Sequence, residues 1–483
     1  MRSRAFLTLA VALALAGCGA TTVVDTATTA TALSEAFGTA SLPDTSGAAA
    51  EAAPPDSAPA GGPDGPAPRP APPAPAGPGG MTLDTTLSEQ AQATTIAFDA
   101  LAFMTGNLCA DSFFPPGKVA DYFGFQYLRD NDATGLGHNT AFAGTVGETV
   151  LSVLSDEQAQ LLASLAEAQV DDIADYALAR FPLMAALRRL LDDDLPEAAT
   201  GLSTPAVEAY SAEVYTLDGR ISLERAETYA QILSSLSPAQ EERLAALAAT
   251  GMADWPDLRH DTGTAVWREQ LTPEEHVAFI TYAGDLFAWY VGDVESDTYF
   301  CPERHGTYFG SFYMKDTPAM LAQQAGNDVS INENLTGDYG DRFLALLTAE
   351  QRATIEGLVS RQQSALEELV EIRRAIAEQL RSLWDGSGAD AADVEQTVMG
   401  LSAQYGELDG QVVALYAAAF DAVYESLTPE QLATLWDLRG GEGNLNLNAA
   451  FGDPCSLTPN DLAYLYSQTI DMPEMGDTDF LFE

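Results

Sequence analysis

The sequence predicts an all-α fold made of two tandem copies of a helical unit, each built on a long antiparallel helical hairpin. One observation is that L-[ST]-x-x-[QE], a pattern typical of helix starts, recurs along the chain. A second is that apolar residues follow these motifs at the three- and four-residue spacing of amphipathic helices. A third is that TYFGSFYMKD at 307–316 nearly repeats DYFGFQYLRD at 121–130, an offset of 186 (307 − 121).

The helices are clearest in the second copy. The segment 348–384 predicts a helix of about 36 residues, or roughly 54 Å at 1.5 Å per residue. The turn signal GSGAD at 386–390 separates it from a second amphipathic segment at 393–426, and together they predict the hairpin. In the first copy Pro182 is expected to kink or break the long helix. The apolar positions of the first segment are Ile355, Leu358, Val359, Leu366, Leu369, Val370, Ile376, Leu380, Leu383 and Trp384.

Further landmarks extend the repeat over most of the chain. LSDEQ at 154 corresponds to LTAEQ at 347, and YSAEVYTLDG at 210–219 corresponds to LSAQYGELDG at 401–410. LTPND at 457 begins the pattern a third time, which predicts a partial repeat that caps the C-terminal end. The predicted boundaries are 85–270 for copy one, 271–456 for copy two and 457–483 for the partial repeat and tail.

Two segments precede the repeats. Residues 1–18 have the charged, apolar and small-residue regions of an export signal. Residues 19–84 are rich in Pro, Ala and Gly, and they predict a disordered tether because they offer little apolar surface to bury.

The tetrad Leu15-Ala16-Gly17-Cys18 resembles the lipobox of bacterial lipoproteins. That resemblance implies a lipid anchor on Cys18, and Gly19 after it implies delivery to the outer membrane, facing the periplasm or the cell surface. The alternative is an ordinary secretory signal with a chance cysteine at its cleavage site.

The chain is strongly acidic. Its 71 Asp and Glu residues against 22 Lys and Arg residues give a formal charge of −49. Such a surface repels the phosphates of nucleic acid, so nucleic acid is not an expected partner. The charge fits a saline habitat or simple solubility, and alternatively a surface that collects cations or basic partner proteins.

The repeated motif has a local explanation as a helix cap, in which Ser or Thr and the following Gln or Glu exchange hydrogen bonds with the backbone. The four motifs that flank the hairpins also resemble the paired L-T-x-x-Q motifs of the Spy/CpxP family of periplasmic proteins. That resemblance implies an all-helical holdase chaperone or envelope-stress sensor. The chain differs from the family in its greater length, its aromatic insertions and its acidity. The motifs are Leu154–Gln158, Leu236–Gln240, Leu347–Gln351 and Leu427–Gln431.

The two aromatic stretches are candidate binding segments. Aromatic residues beside glycine can fill the gap between helices, or they can form a paired recognition surface for a peptide or a glycan. The candidate binding residues are Tyr122, Phe123, Tyr127, Tyr308, Phe309 and Tyr313.

Three cysteines follow Cys18, namely Cys109, Cys301 and Cys455, and they allow one disulfide at most within a monomer. The sequence does not reveal which two pair. Cys301 could instead act as a nucleophile with His305 as its base, although a disulfide suits an oxidising compartment better.

The sequence predicts no metal site, no cofactor and no catalytic residues. The run at 130–135 begins like a calcium loop, but Ala141 stands where a bidentate glutamate is needed. The sequence therefore predicts an envelope lipoprotein of binding type, either a chaperone-like or stress-sensing module or a structural protein that contacts protein partners through paired aromatic loops.

Overall fold

The fold is seen in a computed structural model. The residues that it describes all belong to one compact unit, 68–483, and the described ranges are 89–105, 140–249, 265–292, 334–384, 389–440 and 478–483, with Val294, Asp297 and Gly386. Helices account for most of these residues, and none of them lies in a β-strand, apart from one isolated bridge between Leu202 and Phe482. The predicted all-α fold is confirmed.

The described helices are numbered here in chain order. They are α1 (Glu89–Thr105), α2 (Thr140–Leu151), α3 (Asp156–Leu191), α4 (Thr204–Ser234), α5 (Pro238–Ala249), α6 (Ala265–Gln270), α7 (Pro273–Val291), α8 (Asn334–Leu346), α9 (Ala349–Ser382), α10 (Ala391–Ser426) and α11 (Pro429–Gly440), followed by a short 3-10 helix (Asp479–Leu481).

Two long helical hairpins form the centre of the molecule, as predicted. The first hairpin is α3 packed along α4, and the second is α9 packed along α10. In the turn of the second hairpin Gly386 has a φ of +79°, a left-handed conformation that glycine adopts without strain. Asp390 then caps α10, because its side chain accepts a hydrogen bond from the Ala392 amide at 2.9 Å.

The long helix of the first hairpin is not broken at Pro182. α3 continues through this residue to Leu191, so the break that the sequence allowed does not occur. A proline inside a helix costs about 3 kcal/mol or more because one backbone hydrogen bond is lost. The five residues that follow it, 183–187, are all buried in the core. Burying a leucine or methionine side chain contributes about 1.5–3 kcal/mol. The packing offsets the cost of the proline.

The two hairpins meet along α4 and α10, which cross with their backbones almost in contact. A Cβ atom added to Gly219 would lie 2.4 Å from Ser402 Oγ, and one added to Gly410 would lie 2.9 Å from Ser211 Cβ. Each helix therefore presents a serine to a glycine of the other. Ser211 comes before Gly219 in α4, yet it faces Gly410, which comes after Ser402 in α10. The two helices therefore run antiparallel. The closed turn of each hairpin thus lies at the end where the other hairpin is open.

The shorter helices are exchanged between the hairpins. α1 precedes the first hairpin in the chain, yet it packs on α8, α9, α10 and α11 of the second half. In the same way α7 precedes the second hairpin, yet it packs on α2, α3, α4 and α5 of the first half. Each half is therefore completed by a helix of the other half. The exchange suits a duplicated chain, although the two-copy organisation itself stays a prediction.

The predicted C-terminal cap falls mostly outside the described residues. Its last six residues, 478–483, contact α3 and α4 of the first hairpin. On the second hairpin, α1 packs at the place where α7 packs on the first hairpin.

Candidate functional site

The L-[ST]-x-x-Q motifs of the first hairpin meet at its open end. Ser155 and Gln158 form the predicted capping box at the start of α3. The Gln158 side chain continues across the hairpin and donates to Ser235 Oγ at 2.9 Å. Gln240, from the motif before α5, donates to Gln158 Oε1 at 2.6 Å and to the Val153 carbonyl at 3.0 Å. Gln158 and Gln240 therefore cap their own helices and also connect α3, α4 and α5.

The second hairpin repeats this arrangement. Thr348 and Gln351 form the capping box of α9, and Gln351 Nε2 donates to the Ser426 carbonyl at 3.1 Å. Gln431 Nε2 donates to Gln351 Oε1 at 2.8 Å and to the Leu346 carbonyl at 3.0 Å. Capping was predicted from the sequence, but the direct contact between the two glutamines of each pair was not.

Arginine residues near the closed ends of the hairpins attach the exchanged helices. Arg188 of α3 donates to the Phe103 carbonyl of α1, and its guanidinium lies 4.9 Å from the centre of the Phe103 ring. Arg381 of α9 donates to the Trp289 carbonyl of α7 at 3.2 Å and also forms a buried ion pair with Asp297. These contacts place the ends of α1 and α7 beside opposite closed turns.

A buried polar cluster links α7 to the first hairpin. Gln169 of α3 donates to Glu224 Oε2 at 2.7 Å, and Tyr282 of α7 donates to Gln169 Oε1 at 2.9 Å. The Arg225 guanidinium stacks 4.6 Å from the centre of the Tyr282 ring and lies 3.9 Å from the Asp285 carboxylate. Burial raises the pKa of Tyr282 to about 12, although the positive charge of Arg225 opposes the shift.

The corresponding cluster links α1 to the second hairpin. Gln362 of α9 donates to Gln92 Oε1 at 2.8 Å, and the Tyr416 hydroxyl donates to Gln362 Oε1. Burial, reinforced by the negative charge of Asp99, raises the pKa of Tyr416 above its ordinary value. Gln362 stands 193 residues after Gln169 (362 − 169), so each cluster has a glutamine at the corresponding place of the first helix of its hairpin.

A third group of buried polar residues lies where α4 crosses α10. Asp218 is 2% exposed, and burial raises its pKa to about 7 although the positive charges of Arg225 and Arg373 oppose the shift. Burial likewise raises the pKa of Tyr405, with Arg373 again opposing. Across the interface the rings of Tyr215 and Tyr405 are 4.8 Å apart. The crossing therefore combines aromatic packing with buried charge.

The first two clusters serve to position helices. Their glutamine and tyrosine side chains are hydrogen-bonded to each other between helices, and a shifted alignment would leave these buried groups unpaired. At the crossing of α4 and α10, by contrast, Asp218 Oδ2, Ser211 Oγ and Ser402 Oγ are buried and find no hydrogen-bond partner among the described residues. Within the described ranges, no three His, Cys, Asp or Glu side chains form a group that could hold a metal ion.

The predicted binding and disulfide residues lie outside the described residues. These are Cys18, Cys109, Tyr122, Phe123, Tyr127, Cys301, Tyr308, Phe309, Tyr313 and Cys455. The structure does describe the helices on either side of the aromatic segments, which are α1 and α2 for the first segment and α7 and α8 for the second.

Two large apolar side chains are exposed among the described residues. Trp436 of α11 is 50% exposed and Phe480 of the final segment is 53% exposed. Neither was singled out from the sequence.

The buried polar residues of α4 were also missed, although a signal for them was present. They fall on the apolar stripe of the helix, at the spacing of four and three that marks its inner face. A charged residue on such a stripe is rarely buried unless it is paired. The buried stripe is Val207, Ser211, Val214, Asp218, Ile221 and Arg225.

Comparison with known proteins identifies no family for this chain. No protein-family model, no curated protein and no solved structure matches the chain. In the part of the chain that the structure describes, no helix is both long enough and apolar enough to cross a membrane.

Proposed function

We propose that the chain is a binding protein of the bacterial cell envelope, anchored by a lipid on Cys18, whose helical body is a scaffold for contacts with other proteins. The exchange of α1 and α7 between the hairpins is the observation that carries this proposal. It bears directly on the two aromatic segments, because each segment follows one of the exchanged helices.

The exchange fixes both ends of each aromatic segment on the scaffold. The first segment connects α1, packed on the second hairpin, to α2, which packs on α7 beside the first hairpin. The second segment makes the reverse connection from α7 to α8. A segment held at both ends has less freedom to lose when a partner binds, and this lowers the cost of association.

The positions of α1 and α7 favour two separate contact regions over one joined surface. α1 ends beside Arg188, near the closed turn of the first hairpin, and α7 ends beside Arg381, near the closed turn of the second. Since the hairpins are antiparallel, these turns lie at opposite ends. A net charge of −49 favours partners with a basic surface, whose capture should weaken as salt is raised.

The experiment is cross-linking of the lipid-anchored chain in intact cells, followed by purification and counting of the attached proteins. The variant combines Tyr122→Ala with Tyr308→Ala, and the matched control is Trp436→Ala, which removes an exposed aromatic side chain elsewhere. We expect the double variant alone to lose its partners without a lower melting temperature. If it keeps them, or if it unfolds, the aromatic segments are not the contact surface.

A second candidate is a chaperone-like or stress-sensing module. It is favoured by the paired glutamine motifs, which occupy equivalent places at the open ends of both hairpins. This function predicts that the purified chain suppresses aggregation of an unfolded client at near-stoichiometric ratio. The absence of suppression at severalfold excess would remove it.

The membrane anchor has its own test. Cells that express the Cys18→Ala variant are fractionated beside cells with the native chain. We expect only the native chain to incorporate labelled fatty acid and to remain in the membrane fraction. Equal labelling of both chains would contradict a lipid on this cysteine.

A further inference from the structure

The final segment, Thr478–Glu483, lies against the loop that joins α3 to α4. The Ser203 amide donates to the Leu481 carbonyl at 2.8 Å, and the Glu483 amide donates to the Gly201 carbonyl at 3.0 Å. The Thr200 amide donates to the Glu483 carbonyl at 2.6 Å. Backbone pairing of this kind is available to any extended peptide, so it supplies affinity without selecting a sequence.

Side chains of the final segment supply the selectivity. Leu481 is fully buried, with 0% of its surface exposed. Arg189 of α3 donates to Thr478 Oγ1 and pairs with the Asp479 carboxylate, both at 2.8 Å. The same guanidinium lies 5.0 Å from the centre of the Phe482 ring. One arginine therefore contacts the acidic and the aromatic residue on either side of the buried leucine.

The receiving loop has internal bonds that do not involve the final segment. Arg189 Nε donates to the Asp194 carbonyl at 3.0 Å, and the Asp194 amide donates to the Arg189 carbonyl at 2.8 Å. The Ala199 amide donates to the Pro196 carbonyl at 3.0 Å. Because these bonds hold the loop and orient the arginine by themselves, the groove is organised before it is filled.

We propose that this groove is a peptide-binding site for a short segment of the pattern Asp-x-Leu-aromatic that folds into one 3-10 turn. In this chain Asp479, Leu481 and Phe482 fill it from within. Release of the final segment would open the groove to a segment of the same pattern on another protein. The site shares no residue with the aromatic segments at 121–130 and 307–316.

Covalent attachment explains how the groove stays closed. An attached segment competes at an effective concentration on the order of millimolar. A free peptide at micromolar concentration cannot displace it. The groove therefore accepts an outside partner only when the final segment is removed or pulled away.

The test is fluorescence anisotropy with a labelled peptide of residues 478–483. We expect saturable binding to a chain that lacks 478–483, and binding at least about tenfold weaker to the full chain. Arg189→Ala in the shortened chain, or the Leu481→Asp change in the peptide, should weaken binding by about tenfold or more. Equal binding to the full and shortened chains would overturn the proposal, as would no binding to a shortened chain that keeps its helical circular dichroism.

A second variant covers the case in which the shortened chain does not fold. Leu481→Ala in the full chain keeps the segment but empties the buried leucine site. It should bind the labelled peptide more tightly than the native chain does. If it shows no such gain, the final segment is only a structural brace.

Discussion

Ser402 of α10 occupies the space beside Gly219 of α4 that any side chain on the glycine would need. The separation of 2.4 Å between Ser402 Oγ and an added Cβ is far below a van der Waals contact, so the two helices cannot both keep their places if that atom is present. Ser211 and Gly410 repeat the relationship across the same interface.

Gly219→Ala is therefore expected to destabilise the chain, although alanine is the better helix former. Overpacking should lower the free energy of unfolding by about 1–3 kcal/mol. Gly400→Ala, on the partner helix α10 and with no atom within 4 Å of the added Cβ, should instead raise it by up to about 1 kcal/mol. Urea denaturation measures both, and Ser402→Gly should restore much of what Gly219→Ala loses. A stabilising Gly219→Ala would contradict the close approach.

Gln431→Ala removes the bond between the paired motifs of the second hairpin. We expect a loss of about 0.5–1.5 kcal/mol, because Gln351 Oε1 loses one of its two donors and keeps the Thr348 amide. The matched control is Gln160→Ala, which removes an exposed side-chain bond to Ser164, with an expected change within about 0.5 kcal/mol. A double-mutant cycle of Gln351 and Gln431 should give a coupling of about 0.5 kcal/mol or more. Additive effects would mean that the glutamines act only as separate caps.

Asp218 predicts that the chain becomes less stable as the pH rises through the neutral range. Its folded pKa of about 7 exceeds the ordinary 3.8, so between these values the folded state holds a proton that the unfolded state has released. The free energy of unfolding therefore decreases from about pH 4 to about pH 7. Asp421, whose pKa burial raises to about 6, acts in the same direction.

The variant for this prediction is Asp218→Asn, which removes the titration but keeps the shape. Unfolding in urea at several pH values should show a flatter profile than in the native chain. The groups that face Asp218 are Arg225, Arg373 and Tyr405. A native profile that rises toward pH 7 would show that these arginines outweigh the burial.

Arg381→Met leaves the buried carboxylate of Asp297 without its ion-pair partner. Loss of one member of a buried pair costs about 3–5 kcal/mol, and the attachment of α7 at Trp289 is weakened as well. Thermal melting should reveal the loss, and Arg361→Met on the exposed face of α9 is the control. Adding Asp297→Asn to Arg381→Met should recover part of the stability. A melting temperature equal to that of the control would disprove the role of the pair.

The exchange of α1 and α7 predicts that neither half folds alone. A chain of residues 85–270 keeps α1 but lacks its partners α8 to α11, and it also lacks α7. We expect each half to be largely unfolded or self-associated, and the two halves together to form a helical complex with one copy of each. Size-exclusion chromatography with light scattering decides this. Two stable monomeric halves would contradict the exchange.

The sequence alone predicted the helices well because their ends carry local signals. Thr348 and Gln351 mark the start of α9, and GSGAD marks the turn before α10. The hairpins followed from their amphipathic spacing. A kink or a break was expected at Pro182, and the break does not occur because tertiary packing outweighs a local rule.

The exchange and the buried clusters were beyond sequence reasoning. An apolar face on α1 is buried equally well against its own hairpin or against the other, so spacing does not tell the two apart. Aspartate is a residue type usually found at the surface. Only the position of Asp218 on the apolar stripe between Val214 and Ile221 indicates that it is buried.

The exchange also determines the order in which the chain can fold during synthesis. α1 ends at Thr105, and α8, its main partner, begins only at Asn334. At about 5–20 residues per second, the apolar face of α1 waits on the order of ten seconds or longer for its binding surface. During that interval the emerging chain is exposed to chaperones and proteases. Such long sequence separation also makes the final docking slow compared with the formation of each hairpin.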